Sequence, residues 1–292
     1  MRRTATLLLA ALVALGACSR DRQQPAGQGE TNRRASTLTI KGSDTLVMLA
    51  QRLAEAFMHK NPGLTVQVTG GGSGTGIAAL INGTTEIATA SRPMKESEKA
   101  QVQARRERPA VEHAVALDGI AIYVHESNPV PHLTLDQIKR IYEGRIKDWS
   151  EVGGPAGRIT LYSRENNSGT YAYFKEEVMD DEDFDPRAQT LPGTSAVVNA
   201  IAKDPRGIGF GGIAFGSGIR TVPVKKDEQA EAVAPSLETV TNGTYPISRK
   251  LFMYTAGEPT GIVAQFLEFA LSPEGQALAE KAGYYPLRPT AP

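Results

Sequence analysis

The sequence predicts an α/β protein of two lobes, and three observations predict it. Strand-like runs alternate with helical ones along almost all of the chain beyond residue 36, the pattern of sheets covered by helices. That stretch, 37–292, is longer than one compact core needs and sufficient for two. Two runs, 115–124 and 245–254, are long and interrupted, the first at Asp118-Gly119 and the second at Pro246 and Ser248. Long strands broken in this way suit crossovers between lobes.

The elements follow in order. A short strand is expected at 38–41. A helix over 45–60 carries Leu46, Leu49, Leu53 and Phe57 on one face and stops at Asn61-Pro62-Gly63. Residues 64–68 alternate as a strand that runs into a glycine segment, and 77–81 form a short helix. A strand at 86–90 and a charged helix over 96–108 come next. Thr134-Leu135-Asp136-Gln137 is a capping box, and Gly144 ends the helix that it opens. Residues 159–163 read as a strand followed by a helix over 169–179. Further helices are expected at 195–202 and 261–271, and Pro273 begins another at its first turn.

The N-terminus is a targeting segment. Arg2 and Arg3 make a positive region, and Ala5 to Leu15 is an apolar run of about eleven residues, short of the roughly twenty that span a bilayer. Leu15-Gly16-Ala17-Cys18 resembles the bacterial lipobox, in which the cysteine is acylated and becomes the mature N-terminus; the other reading is a plain signal peptide with an incidental cysteine. Cys18 is the single cysteine, which excludes an intrachain disulfide and a cysteine metal cluster. Residues 18–36 are rich in Gln, Gly, Arg and Ser and read as a tether. Removing 1–17 takes away Arg2 and Arg3 from 32 basic residues against 32 acidic, so the remaining formal charge is 30 − 32 = −2. That balance gives no support for nucleic-acid binding.

Four segments end a strand in small or hydroxyl residues and then open a helix: Gly42-Ser43-Asp44-Thr45, 70–76, Thr89-Ala90-Ser91-Arg92 and 164–170. A helix N-terminus presents unpaired N–H groups and a partial positive charge, which favour an anion. Serine and threonine add hydroxyl donors, and Arg92 and Arg164 supply guanidinium forks suited to oxyanions. One such segment is an ordinary helix cap. Four together point to a buried tetrahedral oxyanion.

Other chemistries find less support. The segment 70–76 lacks the lysine of a P-loop, the spacing of a dinucleotide fingerprint and the G-x-S-x-G of a hydrolase elbow. What remains is a tight turn with Ser73 facing one concavity, or a turn with no ligand. His59, His113, His125 and His132 show no metal-ligand spacing. No general base can be placed beside Ser73 or Ser168, and the acidic run 180–183 reads as a solvated loop. Neither a metal nor a cofactor is expected.

Taken together, Gly42 to Thr45, Gly70 to Ile77, Ala90-Ser91-Arg92-Pro93, Leu133 to Ile138 with Trp149, Arg164 to Thr170 and Gly207 to Phe210 resemble the phosphate-binding proteins of bacterial phosphate ABC transporters, over roughly 37–285. The resemblance implies a type II periplasmic-binding-protein fold, with two α/β lobes, two crossover strands and a ligand cleft between them. It implies a lobe I of 37–118 plus 246–292 and a lobe II of 119–245. It also implies phosphate held by N–H groups, hydroxyls, one arginine and one aspartate. Carried over by motif, the candidate ligands are Ser43, Asp44, Thr45, Leu46, Ser73, Ser91, Arg92, Arg164, Ser168, Gly169 and Thr170.

One position departs from the family pattern. After the strand ending at Ser91 the family carries an aspartate that accepts the phosphate proton, where this chain has Arg92. The expectation is that Asp44 takes over as acceptor and that Arg92 touches the anion or pairs with Asp44. The function expected is a non-enzymatic, monomeric, extracytoplasmic receptor, anchored through lipid on Cys18, that delivers inorganic phosphate to a membrane permease. The rivals are a receptor for sulfate or molybdate, a secreted phosphatase, and a regulatory lipoprotein.

Overall fold

The computed structural model describes residues 36–287. The targeting segment, Cys18 and the tether up to residue 35 lie outside the described residues. In chain order the elements are β1 (Ser36–Gly42), α1 (Val47–Lys60), β2 (Leu64–Thr69), α2 (Ser73–Asn82), β3 (Ile87–Ala90), α3 (Glu96–Arg106) and β4 (Ala110–Val124). They continue with β5 (Leu133–Thr134), α4 (Leu135–Tyr142), β6 (Thr160–Arg164), α5 (Gly169–Glu177), β7 (Gln189–Leu191) and α6 (Gly193–Ile201). The remainder is β8 (Gly207–Gly212), β9 (Arg220–Val222), β10 (Val224–Lys225), α7 (Leu237–Thr241), β11 (Ser248–Ala256), α8 (Gly261–Leu271) and α9 (Pro273–Lys281). No helix among the described residues is long and apolar enough to cross a membrane.

Among the described residues, nine strands form one sheet in the order β2-β1-β3-β11-β4-β8-β6-β7, with β9 also paired to β4. Parallel pairs flank each end, β1 with β2 and β3, and β6 with β7 and β8. The antiparallel pair β4 and β11 joins them. β4 is shared: residues 110–119 pair with β11, and 120–124 pair with β8 and β9. The hydrophobic core divides at the same place. Val115, Ala116, Leu251 and Met253 pack with α1, α8 and α9, whereas Ile120, Ile122, Val124 and Ile247 pack with α4, α5 and β8.

Contrary to the expected break at Asp118-Gly119, β4 runs unbroken through both, opposite Arg249 and Ser248. The irregularity lies instead at Val115, an extra β4 residue: Leu251 pairs with Ala116 and Phe252 with Ala114. A Cβ at 119 would press Val240 and the Tyr245 ring at 3.1–3.2 Å, so glycine relieves crowding there. The helix expected at 77–81 begins earlier, at Ser73, because Gly72 with φ +90° turns the chain directly into it. The helix expected from Thr45 begins later, at Val47. Before it, Leu46 N–H donates to Ser43 O (3.0 Å) and Val47 N–H to Asp44 O (3.4 Å), closing a separate turn. The capping box forms as expected: Gln137 N–H donates to Thr134 Oγ1 (3.1 Å), and Thr134 N–H donates to Gln137 Oε1 (3.0 Å).

Candidate ligand cleft

The N-termini of α2 and α5 come from opposite ends of the sheet and face each other. Asn167 joins them: its carbonyl accepts from Gly74 N–H (2.9 Å), and its Nδ2 donates to Gly71 O (3.0 Å) and Thr75 Oγ1 (3.2 Å). Close approach requires glycine on both sides. A Cβ on Gly72 would lie 2.7 Å from Asn167 O, and a Cβ on Gly169 would strike Ser73 Oγ and lie 2.7 Å from Ser91 Oγ. In the first turns Thr75 N–H donates back to Gly72 O (3.1 Å) and Tyr171 N–H to Ser168 Oγ (3.3 Å), and both dipoles point their positive ends into this gap.

Four hydroxyls meet there, all at most 1% exposed. Thr45 Oγ1 lies 3.0 Å from Thr170 Oγ1, Ser73 Oγ lies 3.4 Å from Ser91 Oγ, and Ser91 Oγ lies 3.5 Å from Thr170 Oγ1. Ser91 N–H donates to Ser73 Oγ (3.0 Å). Two of these groups, Thr45 and Thr170, are 125 residues apart.

Two arginines flank the hydroxyls. Arg164, at the end of β6, donates through Nη1 to Thr194 Oγ1 (2.8 Å) and through Nη2 to Asp44 Oδ2 (3.1 Å). Its Nε is buried without a protein partner. Burial pulls the Arg164 pKa below its ordinary value, against the opposing charge of Asp44, yet guanidinium remains a cation at any working pH. Asp44 is also held by Gly71 N–H, which donates to its Oδ1 (2.8 Å). The second arginine, Arg249, donates to Asp118 Oδ2 from Nε (3.0 Å) and Nη2 (2.7 Å), to Ser91 O from Nη1 (2.9 Å), and to Thr170 Oγ1 from Nη2 (3.0 Å). Asp118 is fully buried. Burial raises its pKa, while Arg249 and the N–H of Ile213 (3.2 Å) pull the other way.

The structure brings Asp44, Thr45, Ser73, Ser91, Arg164, Gly169 and Thr170 together. Ser43 sits in the turn beside them, where its N–H donates to Thr89 O (3.0 Å). Ser168 caps α5, accepting from Tyr171 N–H (3.3 Å). Leu46 buries its side chain in the core beneath α1, so it can offer the cleft only backbone. Arg92 departs from both expectations. Its guanidinium turns away to Glu98, with Nη1 to Oε2 (2.8 Å) and Nη2 to Oε1 (2.7 Å), and Nη1 also donates to Pro93 O (2.8 Å). The reason is local: Glu98 already reaches back to Lys95 N–H (2.8 Å) at the start of α3, which sets its carboxylate in front of the fork.

The motif reading missed Arg249, Asp118, Thr194 and Asn167. Asp118 and Arg249 did leave a signal, since each interrupts an apolar strand run, and charges on such runs are seldom buried unless paired. Asn167 lay inside the singled-out 164–170 segment without being assigned a role, and Thr194 left no signal.

Fold and cleft together are those of a type II periplasmic binding protein. A PBP superfamily domain model matches residues 26–274. The phosphate-binding protein PstS of Pseudomonas aeruginosa is 34% identical over 270 residues, covering 87% of this chain and 84% of the relative. The PstS of Staphylococcus epidermidis is 32% identical over 289 residues, covering 96% and 86%. Among solved structures, one described as a phosphate ABC transporter substrate-binding protein with bound phosphate, from Clostridium perfringens, is 31% identical with a TM-score of 0.79, covering 87% of this chain and 100% of that one. An ABC-type phosphate transport receptor from Vibrio cholerae is 29% identical with a TM-score of 0.68, covering 85% and 99%. The chain belongs to the PBP superfamily and, within it, to the family of PstS phosphate-binding proteins.

Proposed function

We propose that this protein captures inorganic phosphate outside the cytoplasm and delivers it to the membrane permease of a phosphate ABC transporter, held at the membrane by lipid on Cys18. The observation that carries the reading is the polarity of the cleft. Four buried hydroxyls, two helix N-termini and the buried Arg164 converge, with Asp44 as the acceptor beside them. Such a site suits a tetrahedral oxyanion that needs many donors and can give one proton back. Monohydrogen phosphate carries that proton near neutral pH and sulfate does not, so a carboxylate facing sulfate would be left repelled and unpaired. Charge-assisted hydrogen bonds contribute about 1.5–3 kcal/mol each, and micromolar binding needs only about 8 kcal/mol net.

On this reading, 37–118 plus 246–292 move as one lobe and 119–245 as the other, about β4 and β11. The division of the core at these strands supports it. On this reading the protein binds its ligand without turning it over, as its relatives named phosphate-binding proteins suggest.

The test is titration calorimetry on the domain from Ser19, stripped of bound anion, with phosphate and then sulfate. One-to-one phosphate binding with weak sulfate response is expected. Failure to bind phosphate would remove the reading.

A further inference from the structure

Arg249 lies opposite Asp118 on the paired strands β11 and β4, and both are buried. Its donors go to protein acceptors. Nε and one Nη2 proton serve Asp118, Nη1 serves Ser91 O, and the other Nη2 proton serves Thr170 Oγ1. This arginine therefore reaches one strand end at β3 and one helix start at α5 from the strand between them. The contact to Thr170 has a further consequence. A hydroxyl has one proton and two lone pairs. An arginine can only donate, so Thr170 Oγ1 accepts from Arg249 and must direct its own proton elsewhere, into the hydroxyl cluster. Ser73 is set in the same way, because Ser91 N–H donates to its Oγ.

We propose that Arg249 is a positioning residue for the anion site: it fixes the Thr170 hydroxyl as a donor toward the bound oxyanion, and Asp118 holds the guanidinium in the plane that allows this. The inference rests on the proposed phosphate binding. It assigns specificity to a pair on the crossover strands that does not itself touch the ligand. An acceptor-only oxygen is favoured at Thr170, and the place for a ligand proton is left at Asp44, which is paired with Arg164. A lysine at 249 would keep the charge but lose the fork that serves Asp118, Ser91 and Thr170 at once.

A double-mutant cycle with Arg249→Lys and Thr170→Val tests this, with phosphate dissociation constants from calorimetry and thermal midpoints for each variant. Thr170→Val should weaken phosphate binding by about tenfold or more, as expected for a lost hydrogen bond to a charged acceptor. Arg249→Lys should weaken it by about fivefold in the native background but less than about twofold in the Thr170→Val background, because its effect passes through the hydroxyl. Thr170→Ser, which retains the hydroxyl, should bind nearly as the native protein does. A purely structural Arg249 would lower the thermal midpoint in both backgrounds and multiply the two affinity losses, and that additivity would overturn the proposal. Unchanged affinity in Arg249→Lys would overturn it as well. If Arg249→Lys does not fold, the neutral pair R249Q/D118N replaces it in the same cycle and avoids an unpaired buried charge. A native protein that binds no phosphate would instead sink the proposed function, a result distinct from additive losses in a protein that binds.

Discussion

Arg164 and Asp44 divide the electrostatic work of the cleft. Arg164 is 1% exposed, with Thr194 and Asp44 each taking one terminal nitrogen and Nε left over. Truncating it strips the cleft of its fork and leaves the Asp44 carboxylate facing the anion without its cation. Arg164→Ala should therefore be the most damaging single truncation, weakening phosphate binding by about a hundredfold, which corresponds to roughly 3 kcal/mol. Calorimetry that found Arg164→Ala as tight as the native protein would contradict this assignment. Asp44→Asn is expected to act on selectivity. The amide can donate to sulfate, so the ratio of phosphate to sulfate affinity should fall by about tenfold or more. An unchanged ratio would move the proton-accepting role to another group. Arg92 belongs to neither effect, because its fork is taken by Glu98. Burial works to raise the Glu98 pKa, but the hydrogen bonds from Arg92 and from Lys95 N–H outweigh it and hold this carboxyl below its ordinary value.

At the scale of elements, the cleft depends on two helix starts being stripped of side-chain bulk where they meet. Gly72 at the start of α2 and Gly169 at the start of α5 let the backbone of one approach the hydroxyls and carbonyls of the other. Gly169→Ala places a methyl group against Ser73 Oγ and Ser91 Oγ, so the two N-termini must separate. Gly169 is the first residue of α5 and has no positive φ, so the backbone itself tolerates alanine there. The expected outcome is thus a large loss of phosphate affinity, at least about tenfold, with little loss in thermal midpoint. Parallel losses in both would show that the glycine serves the core instead of the approach.

Among the described residues, one sheet carries two packed cores that divide about the strands β4 and β11. Among the described residues, the groups that bridge the cleft beside the hydroxyl cluster include Asn167 at the glycine turn, Arg164 at Asp44, Arg249 at Thr170 and Tyr173 at Ser248 O. A bound anion would add contacts from both sides, which is how a ligand shifts an open-to-closed equilibrium. Small-angle scattering on the domain from Ser19 should show a smaller radius of gyration with phosphate than without it. The same radius in both conditions would place the free protein in the closed form already.

How much of this was legible depended on distance along the chain. The α/β alternation, the helix over 261–271, the capping box at Thr134 and the strand-to-helix motif from Arg164 to Thr170 could all be read, because each is set by bonds between residues a few positions apart. The chemistry of the cleft was legible to the same extent, since hydroxyls and glycines at helix starts are local signals. The orientation of Arg92 was within reach too, as its partner lies six residues on, but two rival carboxylates were available and only packing chose between them. Arg249 and Asp118 are 131 residues apart, and Asn167 is 96 from Gly71. Nothing local specifies those pairs. The sequence by itself determined the class of protein, the elements and the donor-rich character of the site. The tertiary structure alone decided which cation faces the cleft, which one orients a hydroxyl from behind, and which is spent on a helix start. The pairing of distant strands is what brings those charges into range, and at contact distance in a buried site hydrogen-bond geometry outweighs sequence proximity.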